Sequence, residues 1–292
     1  MEENDKLHAE NAKLIQGLGS VEGRLESPIN LDISNMTVIN LGPLQWNHHN
    51  VAPRKVKVTN TGHTVILSAN WQAERPYLTG GPLSGDYVFS QMHFHWGETE
   101  MRGSEHRVDG ANMPMELHVV HFKTKYSTQE EALRQIDGVV MVVYLFKLQT
   151  PPNIFLKDIV NSLSSIKDAN TSVRLVPVVL ANIFKPFTDD YVIYWGSIIT
   201  SQWTHRIMWL VSREPIGITK EQIAEFRILC DANEKPILRN YRPLRDRRYR
   251  SIFHVCPSGS LYATLLPISR KQLVLSSKAA ADSNDTNREI VA

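Results

Sequence analysis

Cysteine is almost missing from this chain: Cys230 and Cys256 are the only two in 292 residues. Two thiols without Cys-x-x-Cys spacing exclude a disulfide framework and read as buried apolar groups. Long hydrophobic runs are missing as well. The longest, Val139 to Phe146, is about half of what a bilayer span needs and reads as a buried strand, so no membrane span is expected. An excess of either charge is also lacking, since 32 Lys+Arg stand against 30 Asp+Glu for a formal charge of +2. That balance excludes a global field for recruiting nucleic acid or an anionic membrane. The basic run Arg245 to Arg250 therefore reads as a solvated edge and not as a nucleic-acid patch. The opening residues Met1-Glu2-Glu3-Asn4-Asp5 place acid where a secretory leader carries Lys or Arg, which sets the expectation of a cytoplasmic chain.

What is present is an ordinary globular composition, 42% apolar and 21% charged, without repeats or an internal Gly/Ser/Pro linker. Residues 1–24 read as a loose polar tail, residues 25–268 as one domain, and residues 269–292, rich in Ser, Ala, Asp and Asn, as a disordered tail. Inside the domain, β-type segments dominate. Val56 to Val58, Thr64 to Ser68, Tyr87 to Trp96, Met115 to Lys123, Val139 to Leu148, Tyr191 to Ile198 and Ile207 to Ser212 are rich in β-branched and aromatic residues and set off by Gly, Pro or Asn. Helix signals are few. Thr219-Lys-Glu-Gln222 is a capping box opening a helix over Lys220 to Cys230, and residues 151–166 offer a second helical stretch. The expected fold class is mostly β with peripheral helices, built on one large twisted sheet.

The chemistry concentrates in two of these strands. In Gln91-Met92-His93-Phe94-His95-Trp96 the two histidines are two apart, and a strand's period of two projects both imidazoles from one face. Glu116-Leu117-His118 repeats the pattern with a carboxylate in place of the first imidazole. If the two strands are neighbours, His93, His95 and His118 converge. Zn²⁺ accepts three histidine nitrogens at about 2.0 to 2.1 Å and keeps its fourth tetrahedral position open, the layout of a catalytic site. Gln91 and Glu116 each sit two residues before a histidine, in reach of its far nitrogen, where a hydrogen bond fixes the tautomer. A lone histidine is more often a satisfied core residue, but His-x-His with a separate Glu-x-His in a sheet favours the metal.

These residues, with Ser27-Pro28-Ile29-Asn30, Asn60-Thr61-Gly62-His63, Gly80-Gly81-Pro82-Leu83, Gly103-Ser104-Glu105-His106, Asp137-Gly138, Gly196-Ser197, Trp209 and Asn240-Tyr241-Arg242-Pro243 in order, closely resemble the α-type carbonic anhydrases over about 240 residues. The resemblance implies a single-domain fold around a central, mostly antiparallel sheet of ten strands. It implies zinc on His93, His95 and His118, with Gln91, Glu116 and Asn240 supporting those ligands. It implies conversion of CO₂ and water to bicarbonate and a proton, chemistry for which this family is the usual example of a metal-activated water. By the same resemblance, His63 stands at the proton-shuttle position, Glu105 at the buried carboxylate and Thr200 within reach of bicarbonate. Val120, Met141, Ile198, Ile207 and Trp209 stand at the apolar CO₂ wall, a pattern that plain core packing explains as well.

The chain departs from the family after Gly196-Ser197. The family reads Leu-Thr-Thr-Pro-Pro there, and this chain reads Ile198-Ile199-Thr200-Ser201-Gln202. The family's first Thr takes a hydrogen bond from the reacting oxygen and donates to the buried carboxylate; Ile199 does neither. Losing one such contact costs about 10² to 10³ in rate, and Ile199, placed with the pocket residues, is also expected to crowd the fourth zinc position. Glu105 loses its usual partner, which favours protonation or another contact. Upstream, the family's Trp-containing segment, which supplies a Tyr to the proton path, has no counterpart before Ser27. The expectation is therefore a zinc lyase of reduced rate acting on CO₂ and bicarbonate. The alternative is a catalytically weak or silent binding module, for which the sequence names no protein partner.

Overall fold

The computed structural model describes residues 2–200 and 203–255. Cys256, the C-terminal tail and the Ser201-Gln202 pair lie outside the described residues. Ten strands form one continuous path: β1 (Thr37–Ile39), β2 (Lys55–Asn60), β3 (Val65–Asn70), β4 (Tyr87–Trp96), β5 (Met115–Lys123), β6 (Val139–Leu148), β7 (Thr171–Leu175), β8 (Tyr191–Ile199), β9 (Thr204–Ser212) and β10 (Phe253–Val255). Their order across the sheet is β7-β2-β3-β4-β5-β6-β9-β8-β10-β1. The β6–β9 and β10–β1 pairs are parallel and the other pairs of the path antiparallel. Short strands at Leu44–Asn47, Tyr77–Gly80 and Ile216–Ile218 extend it. The strands read from β-branched and aromatic patterning are all present; the edge strands β1 and β7, and β10 beside β1, are short pieces whose pattern is too brief to stand out.

Each face of the sheet carries its own apolar cluster. One gathers Met92, Phe94, Trp96, Leu117, Val119, Tyr144 and Ile193; the other gathers Val120, Met141, Val143, Tyr194, Ile207 and Trp209. Strand alternation accounts for the split everywhere except in β4, where Phe89 pairs with His121 and Gln91 with Val120. The extra residue, Ser90, forms a bulge that inverts the alternation. Without it, Gln91, His93 and His95 would share the face of Phe89. With it, they face the same side as His118.

Helix α1 (Glu2–Leu18) replaces the loose tail expected for residues 1–24. Its polar composition concealed three long-range anchors. Ile15 is fully buried, its carbonyl accepts from Trp195 Nε1 at 2.6 Å, and Arg206 donates to the carbonyls of Gly19, Val21 and Gly23. Gly19 passes so close to Trp195 that a Cβ would lie 2.7 Å from its ring, so only glycine fits at this corner. Further short helices lie along the chain, among them α2 (Gln129–Leu133) and α3 (Lys220–Phe226), and the stretch expected over 151–166 is helical from 154 to 166. The capping box of α3 is present, with Gln222 N donating to Thr219 Oγ1 at 3.2 Å. The helix ends at Phe226, short of the expected Cys230; the buried Phe226 and Leu229 keep the inner face.

A buried histidine pair gives the fold a measurable acid limb. His49 and His121, 1% and 0% exposed, meet at 3.2 Å between their Nε2 atoms. Burial pushes His49 down to about 4 and His121 well below its ordinary range. The unfolded chain takes up a proton near 6.5 while folded His49 stays neutral to about 4, so stability is complete above the first value and falls as pH falls toward the second. The loss attributable to His49 is about 3 kcal/mol. His49→Gln is expected to flatten this limb in unfolding free energies measured from pH 7 to pH 4; an unchanged limb would assign the acid sensitivity elsewhere.

Candidate metal centre

Three imidazoles meet on the face that the Ser90 bulge creates. His93 pairs with His118 across β4 and β5. The ring centroids lie 5.2 Å apart for His93 and His95, 5.0 Å for His93 and His118, and 4.4 Å for His95 and His118. One nitrogen of each lies within 4.8 Å of the others. The far nitrogens are all committed. His93 Nδ1 is 3.1 Å from Gln91 Oε1, His95 Nδ1 is 3.2 Å from the Asn240 carbonyl, and His118 Nε2 is 2.6 Å from Glu116 Oε1.

Those partners decide the tautomers. A carbonyl and a carboxylate only accept, so His95 carries its proton on Nδ1 and His118 on Nε2. Their other nitrogens, 3.2 Å apart, then point lone pair at lone pair, an arrangement that is repulsive unless a cation lies between them. Burial, reinforced by the neighbouring histidines, holds His93 far below its ordinary pKa. Burial likewise pushes His95 down to about 4. Neutral, preoriented imidazole donors of this number fit Zn²⁺. A second cluster, His106, Glu116 and His118, needs no ion, because Glu116 Oε1 is 2.6 Å from both His106 Nδ1 and His118 Nε2.

The supports reach further than the sequence reading. His106 Nε2 is 2.5 Å from Tyr194 Oη, and Tyr194 Oη is 3.1 Å from Ser27 Oγ. A buried hydrogen-bonded series thus runs from His118 through Glu116, His106 and Tyr194 to Ser27. Burial opposes the Glu116 charge, but the His106 and His118 contacts hold its carboxyl well below the usual range. The roles of His106 and Tyr194 went unread because neither follows the i, i+2 spacing that marks the ligands. Glu116→Gln is expected to weaken zinc about 10- to 100-fold in competition with a chromogenic chelator; unchanged affinity would remove Glu116 from the support.

Glu105 has exchanged its expected hydroxyl partner for a cation. Its side chain is fully buried and receives Arg242 Nε at 2.9 Å, Nη2 at 2.6 Å and the Arg242 backbone N–H at 2.9 Å. Burial alone would raise this carboxyl; His95 and Arg242 outweigh it and keep Glu105 ionised. Of the two outcomes expected for Glu105, the structure realises the new contact. Asn240 joins the site to the His63 turn: its Nδ2 donates to the carbonyls of Phe94 and His63, and its Oδ1 accepts from Trp96 N at 2.8 Å. His63 itself is exposed, in a turn that Gly62 closes at φ +80°, a conformation natural to glycine.

The structure brings the five apolar residues named for the CO₂ wall together on one face. Val120, Met141, Ile207 and Trp209 are buried in one cluster, and Ile198 packs against it. Trp209 stands edge-on to His118 at 5.1 Å, so wall and metal centre adjoin. Ile199 does not join them. Strand β8 continues through it, paired with Thr204. Alternation sends Tyr194 and Ile198 to the cleft side, so Ile199 faces away and is 59% exposed. The structure does not place Ile199 among the pocket residues or against the fourth zinc position, where it was expected. Thr200 is bonded within the hairpin: its Oγ1 is 2.9 Å from His205 Nε2, and its N–H donates to the Trp203 carbonyl. Both directions follow from the pairing of β8 with β9, which continues through Ile199 and Thr204.

A family model described as eukaryotic-type carbonic anhydrase matches residues 15–256. Carbonic anhydrase 7 of Homo sapiens is 35% identical over 239 residues, 79% of this chain and 88% of that protein. Carbonic anhydrase 1 of Mus musculus is 30% identical over 240 residues, covering 79% and 90%. Carbonic anhydrase 3 of Equus caballus is 34% identical over 203 residues, covering 67% and 77%. No helix among the described residues is long and apolar enough to cross a membrane.

Proposed function

Because the chain belongs to the eukaryotic-type carbonic anhydrase family, we propose that it hydrates CO₂ to bicarbonate with zinc held by His93, His95 and His118, at a rate below the family's usual range. The observation that carries this reading is the convergence of three imidazoles whose far nitrogens are already occupied. Bound there, zinc supplies Lewis-acid activation of water at neutral pH. The chain's own residues do the rest. Gln91, the Asn240 carbonyl and Glu116 orient the ligands. Val120, Met141, Ile198, Ile207 and Trp209 offer CO₂ a dry apolar surface beside them. His63, exposed on a turn tethered by Asn240, accepts the released proton and passes it to buffer.

The reduced rate rests on the hairpin. With Ile199 turned outward and Arg242 filling the Glu105 carboxylate, no side chain hydroxyl described at position 199 or 200 bridges that carboxylate to the reacting oxygen. The same observation favours a second reading, a zinc-loaded but catalytically silent binding module. Stopped-flow CO₂ hydration with metal analysis of the same sample separates the two. About one zinc per chain with a measurable rate that is lost on chelation is expected. Full zinc with a rate indistinguishable from buffer would leave the binding module.

A further inference from the structure

A cavity of about 310 Å³ lies away from the metal centre, between the end of α1, strand β8 and the segment leading into β10. Its walls are apolar: Ile15, Leu18, Leu25, Ile193, Trp195 and Phe253. They are also preformed, since Trp195 is hydrogen-bonded to Ile15 and Arg206 clamps the carbonyls of residues 19, 21 and 23. Volume and lining match the lower end of the range for small-molecule sites.

One wall residue does not belong in an apolar cavity. Arg250 lines it and is only 8% exposed. Its guanidinium donates to backbone carbonyls alone: Nε to Arg247 at 3.0 Å, Nη2 to Asp246 at 2.8 Å and Nη1 to Trp195 at 3.5 Å. Among the described residues it has no carboxylate partner within 4.0 Å, in contrast to Arg242, Arg213 and Arg227. Buried cations are ordinarily paired, because desolvating one without a counter-charge is costly. Burial pushes the Arg250 pKa down, and Tyr194, whose ring lies 5.9 Å from the guanidinium, with Asp246 and Glu26 offsets it only in part. With five N–H donors and three carbonyl partners, donors remain for another acceptor. At the mouth, the side chains of Arg24 and Arg248 add positive charge, with Glu22 as the only acid in the lining.

We propose that this cavity is a binding site for an amphipathic monoanion, a medium-chain fatty carboxylate, with its tail along Leu18, Ile193 and Trp195 and its headgroup toward Arg250. An apolar tail matches the walls, and a single negative charge supplies what the buried guanidinium lacks. A neutral lipid would leave that cation unpaired, and a dianion would be drawn from water into a mostly apolar chamber without enough donors. Tyr194, which also lines the cavity, belongs to the series that supports His118, but the proposal does not rest on the catalytic reading.

Calorimetric titration of the full-length, zinc-loaded protein with decanoate tests it, with 1-decanol as the uncharged counterpart. Saturable binding near one per chain is expected, with decanol at least about tenfold weaker. Leu18→Trp, which fills the cavity, is expected to abolish decanoate binding while zinc content and CO₂ hydration stay as in the wild type. Arg24→Glu, a surface change at the mouth, is expected to weaken decanoate about threefold or more and leave decanol unchanged. No saturable decanoate binding, equal binding of decanol, or full binding in Leu18→Trp would each overturn the proposal; the last would move the carboxylate to another site.

Discussion

His118→Ala is expected to strip the protein of zinc and abolish CO₂ hydration. Changing a residue that merely supports a ligand costs about 10- to 100-fold in affinity, and removing a ligand outright costs more. His93 and His95 would remain, two donors where a catalytic zinc takes three. Loss of the imidazole also leaves the Glu116 carboxylate, fully buried, with His106 as its remaining histidine partner. Metal content after purification in zinc, read by emission spectrometry, is expected to fall from about one ion per chain to a small fraction. His205→Ala is the matched control: His205 is also a strand histidine near the wall, bonded to Thr200 and the Leu133 carbonyl, and its loss is expected to leave zinc in place. Full zinc in His118→Ala would show that another residue completes the centre.

The second large effect concerns the hairpin that follows Ile198. Restoring the family's reading in three substitutions, Ile199→Thr, Ser201→Pro and Gln202→Pro, is expected to raise kcat for CO₂ hydration at least about tenfold. Ile199→Thr alone is expected to give less, because β8 continues through position 199 and turns its side chain from the cleft. Two prolines remove backbone donors and break strand pairing, which frees the chain near residue 199 to present a hydroxyl inward. Recovery also requires that the new hydroxyl compete with Arg242 for Glu105. Zinc content is expected to stay the same in all variants, so the gain appears in kcat and not in occupancy. A fully loaded triple variant with the wild-type rate would show that this segment does not limit the reaction.

The candidate metal ligands were legible in the sequence because their information is local. His-x-His and Glu-x-His each encode a shared face through a strand's period of two, and that period needs no knowledge of the rest of the chain. The same holds for the capping box at Thr219, whose reciprocal bonds span three residues, and for the strands that carry long β-branched runs. What tertiary structure decided lies at large sequence separations. The bulge at Ser90 sets which face the ligands share, and it arises from pairing β4 with β5. Arg242 reaches Glu105 across 137 residues, and Trp195 captures the carbonyl of Ile15 across 180, turning a polar segment into a docked helix. Position 199 shows both levels at once. The identity of Ile199 announced a lost hydroxyl, while the direction of its side chain followed from how far β8 and β9 stay paired, a balance of strand hydrogen bonds and turn geometry that no single residue specifies.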